Sequence, residues 1–219
     1  MTRVARHPAT VITQALLFDM DGTLVDSAAS IDATWLSFAE RHGISPGTIR
    51  ATLPGRTARD IVTSVLPGHP DLETELSWIR AREESTVDGV TEIPGAQALL
   101  ASIPAQRWAL VTSASRTMAT RRLAAAGLPV PGVMICAEDV LAGKPDPEGF
   151  RTAARLVGAD IGACLAFEDS DAGLLAIRRS GATPVAIGGN RSLGGYSAAD
   201  LTAVTARSQG DRIIVEIRA

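Results

Sequence analysis

The sequence lacks the features that mark membrane-spanning and nucleic-acid-binding chains. No apolar run approaches the ~18 residues that a membrane-spanning helix needs. The net charge is −3 and no basic tract stands out, which argues against general nucleic-acid binding. The 219 residues, 46% of them hydrophobic and 21% charged, instead suit a globular chain with one sizeable core, or a core with an inserted subdomain.

Cysteines and aromatic residues are also scarce. The two cysteines, Cys136 and Cys164, lie inside apolar runs, so buried free thiols are favoured over a disulfide. The first fourteen residues contain no apolar segment of the kind found in secretory signal peptides. Together these absences predict a cytoplasmic protein. Because aromatic residues make up only 4% of the chain, the core is expected to consist of Ala, Val, Leu and Ile.

Lysine occurs once. Lys144, in the stretch "GKPDPEGF" (143–150), stands against twenty arginines. The arginine guanidinium is a wide planar fork, whereas the lysine ammonium is a compact charge on a thin stem. The lone lysine therefore reflects either drift in a biased composition or a tight anionic pocket that accepts only an ammonium. The motifs elsewhere in the chain help to decide between these two explanations.

Five short, nearly continuous apolar runs predict strands that are covered on both faces. The predicted strands are 15–19, 108–112, 133–137, 164–169 and 184–188. Helical patterns that end at glycines separate the later runs. A series of strand, helix and strand implies right-handed crossovers and a parallel sheet, with a site beyond the carboxyl ends of its strands. The predicted fold class is therefore α/β, with a Rossmann-like doubly wound parallel sheet.

The stretch after the first predicted strand is different, because it lacks strand-like runs. Apolar residues recur at helical spacing around Trp35 and again around Leu76. An all-helical insert, residues 26–90, is therefore expected within an α/β core that comprises residues 1–25 and 91–219. An insert that follows the carboxyl end of a first strand is placed to act as a lid.

Acidic residues end the first predicted strand in "LLFDMDGTLVDS". Asp19 closes the apolar run and needs a partner such as a metal ion, because a charged residue is seldom buried unpaired. The spacing suits a carboxylate, Asp19, that attacks phosphorus and forms an aspartyl phosphate. Asp21 would then protonate the leaving group and later activate water. The alternative is an ordinary turn rich in Asp and Gly, which the complete string "FDMDGT" disfavours.

Two further strand ends carry polar residues. Glu168 and Asp169 in "FEDSDAG" are adjacent acids that suit Mg²⁺ with its oxygen ligands, although acids before a helix also serve as caps. Thr112 and Ser113 in "VTSAS" can hold phosphate oxygens with a hydroxyl and nearby amides, or cap the next helix. The ammonium of Lys144 would balance the negative charges in such a pocket, which favours a functional lysine over drift.

These four strings, in this order, resemble those of the haloacid dehalogenase superfamily over about residues 14–190. Softer matches such as "GVTEIPGA" and "AGLP" resemble bacterial sugar and hexitol phosphatases and yeast glycerol-phosphate and deoxyglucose-phosphate phosphatases. The resemblance implies a helical cap and Mg²⁺ as cofactor. It also implies that Asp19 is the nucleophile and Asp21 the general acid and base, that Thr112 and Ser113 bind phosphate, and that Lys144 is the family lysine. The implied metal ligands are Asp19, Asp21 through its backbone carbonyl, Glu168 and Asp169.

The activity implied is hydrolysis of small sugar or polyol phosphates. Dehalogenases of the superfamily lack the second acid of the first string, so Asp21 favours phosphoryl transfer. Sugar phosphomutases carry a cap histidine where this chain has Ile31, which disfavours the mutase alternative. A non-catalytic phosphate-sensing or partner-binding scaffold is a third alternative, and it predicts the loss of a catalytic residue. The expected partner is a small phosphorylated metabolite, with no nucleic acid and no membrane, bound by a monomer or weak homo-oligomer.

Substrate specificity is expected to depend on the helical insert. Arg56 and Arg59, in "LPGRTARDIV" (53–62), lie near a glycine turn where related caps present residues to the substrate. An arginine at this place can bind hydroxyls or phosphate. Exposed arginines on a solvated helix face are common, and this remains the alternative for both.

Overall fold

The computed structural model describes residues 8–53, 57–188 and 195–218. The chain divides into a larger unit, Met1–Asp26 with Thr91–Ala219, and a smaller unit, Ser27–Val90. Short 3₁₀ turns aside, the elements in chain order are β1 (Ala9–Thr13), β2 (Ala15–Phe18), β3 (Val25–Asp26), α1 (Ala28–Arg41), α2 (Pro46–Thr52), α3 (Ala58–Val65), α4 (Leu72–Ser85), β4 (Thr91–Glu92), α5 (Ala96–Ala101), β5 (Trp108–Val111), α6 (Arg116–Ala125), β6 (Met134–Ile135), α7 (Glu148–Leu156), β7 (Cys164–Glu168), α8 (Asp171–Ser180), β8 (Thr183–Ile187), β9 (Tyr196–Ala198), β10 (Val204–Gln209) and β11 (Arg212–Ile217).

A six-stranded sheet in the order β6–β5–β2–β7–β8–β9 forms the centre of the larger unit. Every neighbouring pair in it is parallel. From the central β2, the chain adds β5 and β6 on one side and then β7, β8 and β9 on the other. The predicted α/β class with a doubly wound parallel sheet is thus confirmed, and β2 lies at the point where the strand order reverses.

Both faces of the central strand are buried, as its continuous apolar run predicts. Ala15 and Leu17 belong to a cluster with Phe150 of α7 and Ile177 of α8. The alternating residue Phe18 stacks on Phe167 of β7, with ring centroids 4.7 Å apart. Burial on both faces holds the carboxyl end of β2 in a fixed place.

Five strands, β1, β3, β4, β9 and β10, were not predicted from the sequence. The antiparallel sheet β1–β11–β10 pairs Ala9 with Ile217 and closes its hairpin where Gln209 faces Arg212. The two-residue strands β3 and β4 also pair antiparallel. Conversely, the predicted strand 133–137 is too long: β6 ends at Ile135, because the backbone then enters a 3₁₀ turn at Ala137–Asp139.

The smaller unit contains the helices α1 to α4 and has its own core. Trp35, Phe38, Ile49 and Ile79 are buried in that core, so the periodic apolar residues form the inward faces of their helices. Glycine at position 43 has φ +65° and follows the end of α1, as expected for a helix-terminating residue. Within the described ranges, none of the helices combines the length and apolarity needed to cross a membrane.

The central strand generates a stability prediction. Replacing the fully buried Leu17 by Ala is expected to lower the free energy of unfolding by about 2–5 kcal/mol, through lost burial and a residual cavity. The same change at Leu156, which is 51% exposed, should cost less than about 1 kcal/mol. Urea denaturation of both variants measures the difference, and equal losses would contradict this assignment of the core.

Candidate active site

Three neighbouring strands of the parallel sheet end at one edge, and each delivers polar residues there. Asp19 directly follows β2, Thr112 directly follows β5, and Glu168 is the last residue of β7. All three are buried, with 6%, 6% and 1% of their surface exposed. Parallel strands point their carboxyl ends the same way, so sequence positions 19, 112 and 168 meet at this edge.

Lys144 joins two of these strand ends. Its Nζ donates a hydrogen bond to Oδ1 of Asp19 and another, of 2.7 Å, to Oε2 of Glu168. The lysine side chain is only 11% exposed, so its charge is paired as a buried charge must be. A compact ammonium reaches both carboxylates at once, which agrees with a functional explanation for the only lysine of the chain.

The site has more negative than positive groups. Ligand atoms of Asp19, Glu168 and Asp169 all lie within 4.8 Å of one another, and Lys144 is the ammonium among them. Burial, followed by the charge of Glu168, raises the pKa of Asp19 well above its ordinary range, although Lys144 opposes this shift. Burial and Glu168 likewise raise the pKa of Asp169 to about 7. Burial lowers the pKa of Lys144, but the two carboxylates outweigh it and the net shift is upward.

This donor set fits a magnesium ion. Carboxylate oxygens are the ligands that Mg²⁺ prefers, and three carboxylates gathered around one ammonium leave negative charge that a divalent cation would balance. Glu168 is already held in place, because its Oε1 accepts hydrogen bonds from the amide and hydroxyl of Ser170 at 3.1 and 2.7 Å. Ser170 also caps α8 by accepting from the amide of Gly173.

Two glycines allow the acids to lie this close to the backbone. A Cβ at Gly22, which has φ +81°, would lie 2.1 Å from Oδ2 of Asp169. A Cβ at Gly173 would lie 2.0 Å from Cδ of Glu168. Such separations are impossible for real atoms, so glycine is required at both positions for the acids to keep these places.

Asp21 lies in the turn after β2 and contacts a residue that the sequence analysis missed. Its Oδ1 accepts a hydrogen bond of 2.8 Å from Nη1 of Arg122. Arg122 is 3% exposed and lies on the buried face of α6 beside Met118 and Leu123. Its position on the apolar face of a predicted helix is the one sequence signal that distinguishes it from an ordinary surface arginine.

One group of the residues predicted from the sequence lines a common cavity. Thr112, Ser113 and Lys144 line one cavity of about 250 Å³, together with apolar side chains such as Val140 and Phe150. Oγ1 of Thr112 accepts a hydrogen bond from the amide of Ala114 at 3.0 Å, whereas the residue that caps α6 is Ser115.

The structure describes one of the two predicted cap arginines. Arg59 belongs to the smaller unit, where its side chain is 55% exposed and its Nη2 pairs with Oε1 of Glu73 at 2.5 Å. Arg56 lies outside the described residues. A substrate contact for either arginine stays a prediction.

Known proteins are similar to this chain in sequence and in fold. The family model of the haloacid dehalogenase-like hydrolases matches residues 13–181. Hexitol phosphatase A of Escherichia coli is 34% identical over 92% of this chain and 98% of its own length. A β-phosphoglucomutase of Mycobacterium bovis is 29% identical over 86% of this chain and 85% of its own length. The crystal structure of a hydrolase from Pseudomonas syringae is 28% identical, with a TM-score of 0.70, and covers 85% of this chain and 94% of that one.

The close approach at Gly173 generates a second prediction. Replacing Gly173 by Ala is expected to displace Glu168, break its contacts with Lys144 and Ser170, and lower the free energy of unfolding by about 3 kcal/mol or more, as the loss of a buried charge pair does. The matched control is Gly162→Ala, because a Cβ there meets nothing nearer than 3.7 Å and should shift stability by less than about 1 kcal/mol. Urea denaturation compares the two, and equal effects would refute the crowding at Gly173.

Proposed function

The chain belongs to the haloacid dehalogenase-like hydrolase family, and from this premise we propose that it is a Mg²⁺-dependent phosphoric monoester hydrolase of small sugar or polyol phosphates. The observation that carries the proposal is the shared contact of Lys144 with Asp19 and Glu168, beside Asp169. A buried carboxylate held by an ammonium at a strand end is a nucleophile of fixed position. Asp21, two residues further on, supplies a second carboxyl for proton transfer.

In the first step, a carboxylate oxygen of Asp19 attacks the phosphorus of the monoester. A bond forms between that oxygen and phosphorus, and the bond from phosphorus to the sugar or polyol oxygen breaks with its electron pair moving to that oxygen. The protonated carboxyl of Asp21 gives its proton to the departing oxygen, so the product leaves as an alcohol. Lys144 and the hydroxyl of Thr112 stabilise the charge on the transferred group.

In the second step, water attacks the phosphorus of the aspartyl phosphate. Asp21, now a carboxylate, takes a proton from that water, and the bond between phosphorus and the Asp19 oxygen breaks. Inorganic phosphate is released, Asp19 regains its carboxylate and Asp21 regains its proton. The two acids therefore return to their starting forms after each turnover.

Asp19, Glu168 and Asp169, with the backbone carbonyl of Asp21, are the residues that would hold Mg²⁺. When bound, the ion would supply positive charge to the phosphoryl oxygens and favour the ionised form of Asp19. It would thereby counteract the burial that raises the pKa of that carboxyl.

A relative that covers nearly the whole chain supports the proposed substrate class. Hexitol phosphatase A aligns over 92% of this sequence, which supports a polyol or sugar phosphate here. The mutase alternative has a relative of its own, the β-phosphoglucomutase, but Ile31 stands where we expect a mutase to carry its cap histidine. A lid role for the helical unit, a cytoplasmic location and a monomeric or weakly associating state stay predictions.

The reaction is tested by phosphate release from a panel of monoesters, with Mg²⁺ and with EDTA. The panel contains hexose, hexitol, pentitol, glycerol and glycolate phosphates and nucleotides. We expect release from sugar or polyol phosphates that EDTA abolishes and that excess Mg²⁺ restores. Asp19→Asn should lower kcat by more than about 1,000-fold, because an amide cannot replace the attacking carboxylate.

Asp211→Asn is the matched control, since that carboxylate is 81% exposed and should leave release unchanged. Near-full activity of Asp19→Asn would refute the nucleophile. Interconversion of sugar-phosphate isomers without phosphate release would support the mutase instead. No turnover of any ester would favour the non-catalytic scaffold.

A further inference from the structure

Arg122 has a buried guanidinium, and its contacts do not offset the free-energy cost of that burial. It projects from α6 and is 3% exposed. Nη1 reaches Oδ1 of Asp21, 101 residues away in the chain, at 2.8 Å. Within the described part of the chain, however, its buried Nε finds no hydrogen-bond acceptor. Burying a guanidinium with an unsatisfied donor costs free energy that one ion pair seldom repays, and apolar replacements of buried pairs are often neutral or stabilising.

We propose that Arg122 is a positioning residue that orients the carboxyl of Asp21 for proton transfer. The inference rests on the proposed function, in which Asp21 is the general acid and base. An Asp carboxyl rotates in a broad torsional well, and that of Asp21 is 27% exposed on a turn. A guanidinium anchored in a packed helix holds one of its oxygens and limits this rotation.

The chemistry of arginine also decides which oxygen transfers the proton. A guanidinium has only donors, so Oδ1 of Asp21 accepts from Arg122. We therefore assign proton transfer to Oδ2. Oδ2 gives that proton to the departing alcohol oxygen and takes the next one from the attacking water.

This role predicts an effect that depends on the leaving group. A sugar or polyol alkoxide needs a proton as it departs, whereas 4-nitrophenolate is stable without one, so general acid catalysis matters most for the alkyl ester. In Arg122→Met, kcat/KM for a hexitol phosphate should fall by about 10- to 100-fold. For 4-nitrophenyl phosphate, kcat/KM should fall several-fold less. Arg122→Lys retains a donor and should recover part of the alkyl-ester activity.

The matched control is Arg121→Met, which removes an exposed arginine from the neighbouring position of the same helix. It should leave both rates unchanged. The double variant Asp21→Asn with Arg122→Met provides the coupling test on 4-nitrophenyl phosphate. If Arg122 acts through Asp21, its removal should have little further effect once Asp21 is replaced.

Equal losses for the two esters in Arg122→Met would overturn the proposal and assign Arg122 to general stability. If Arg122→Met does not fold, Arg122→Lys decides the question. A mispositioned carboxyl in that variant should still lower kcat/KM for the hexitol phosphate more than kcat/KM for 4-nitrophenyl phosphate. An unchanged ratio between these two kcat/KM values in Arg122→Lys overturns the proposal. An inactive wild-type enzyme on both esters refutes the proposed function itself, whereas an active wild type with an unchanged ratio refutes only the role of Arg122.

Discussion

The ammonium of Lys144, shared between the carboxylates of Asp19 and Glu168, is the interaction on which the site depends. Burial first, and then the nearby charge of Glu168, raise the pKa of Asp19. A single point charge with a thin stem offsets part of this shift and links the ends of two strands to the loop before α7. The remaining negative charge makes the same cluster suitable for a divalent cation, so one electrostatic imbalance explains both the lysine and the proposed metal.

The parallel sheet makes that cluster possible. The order β5–β2–β7 brings the carboxyl ends of three central strands to one edge, and burial on both faces keeps them there. Gly22 and Gly173 then permit approaches to Asp169 and Glu168 that any side chain would block. Fold and chemistry are thus coupled through backbone geometry as well as through charge.

Much of the fold could be predicted from local patterns, and the exceptions have physical reasons. Strands buried on both faces leave continuous apolar runs, and β2, β5, β7 and β8 were predicted within a residue or two. The paired strands β3 and β4 have two residues each, too few for any periodicity. β1 alternates between partly buried and exposed residues. It pairs with β11, some 200 residues away, so its place in a sheet depends on a strand that its own sequence does not indicate.

The sequence by itself determined which residue types would serve as acids, ammonium and hydroxyls, because a motif at a strand end is read from neighbours in the chain. It also determined that Lys144 was exceptional, since composition requires no coordinates. Only the tertiary structure decided that Lys144 bridges Asp19 and Glu168, that Arg59 pairs with Glu73, and that Arg122 contacts Asp21. These contacts join residues 14 to 125 positions apart, and such proximity arises from packing, which no local pattern encodes.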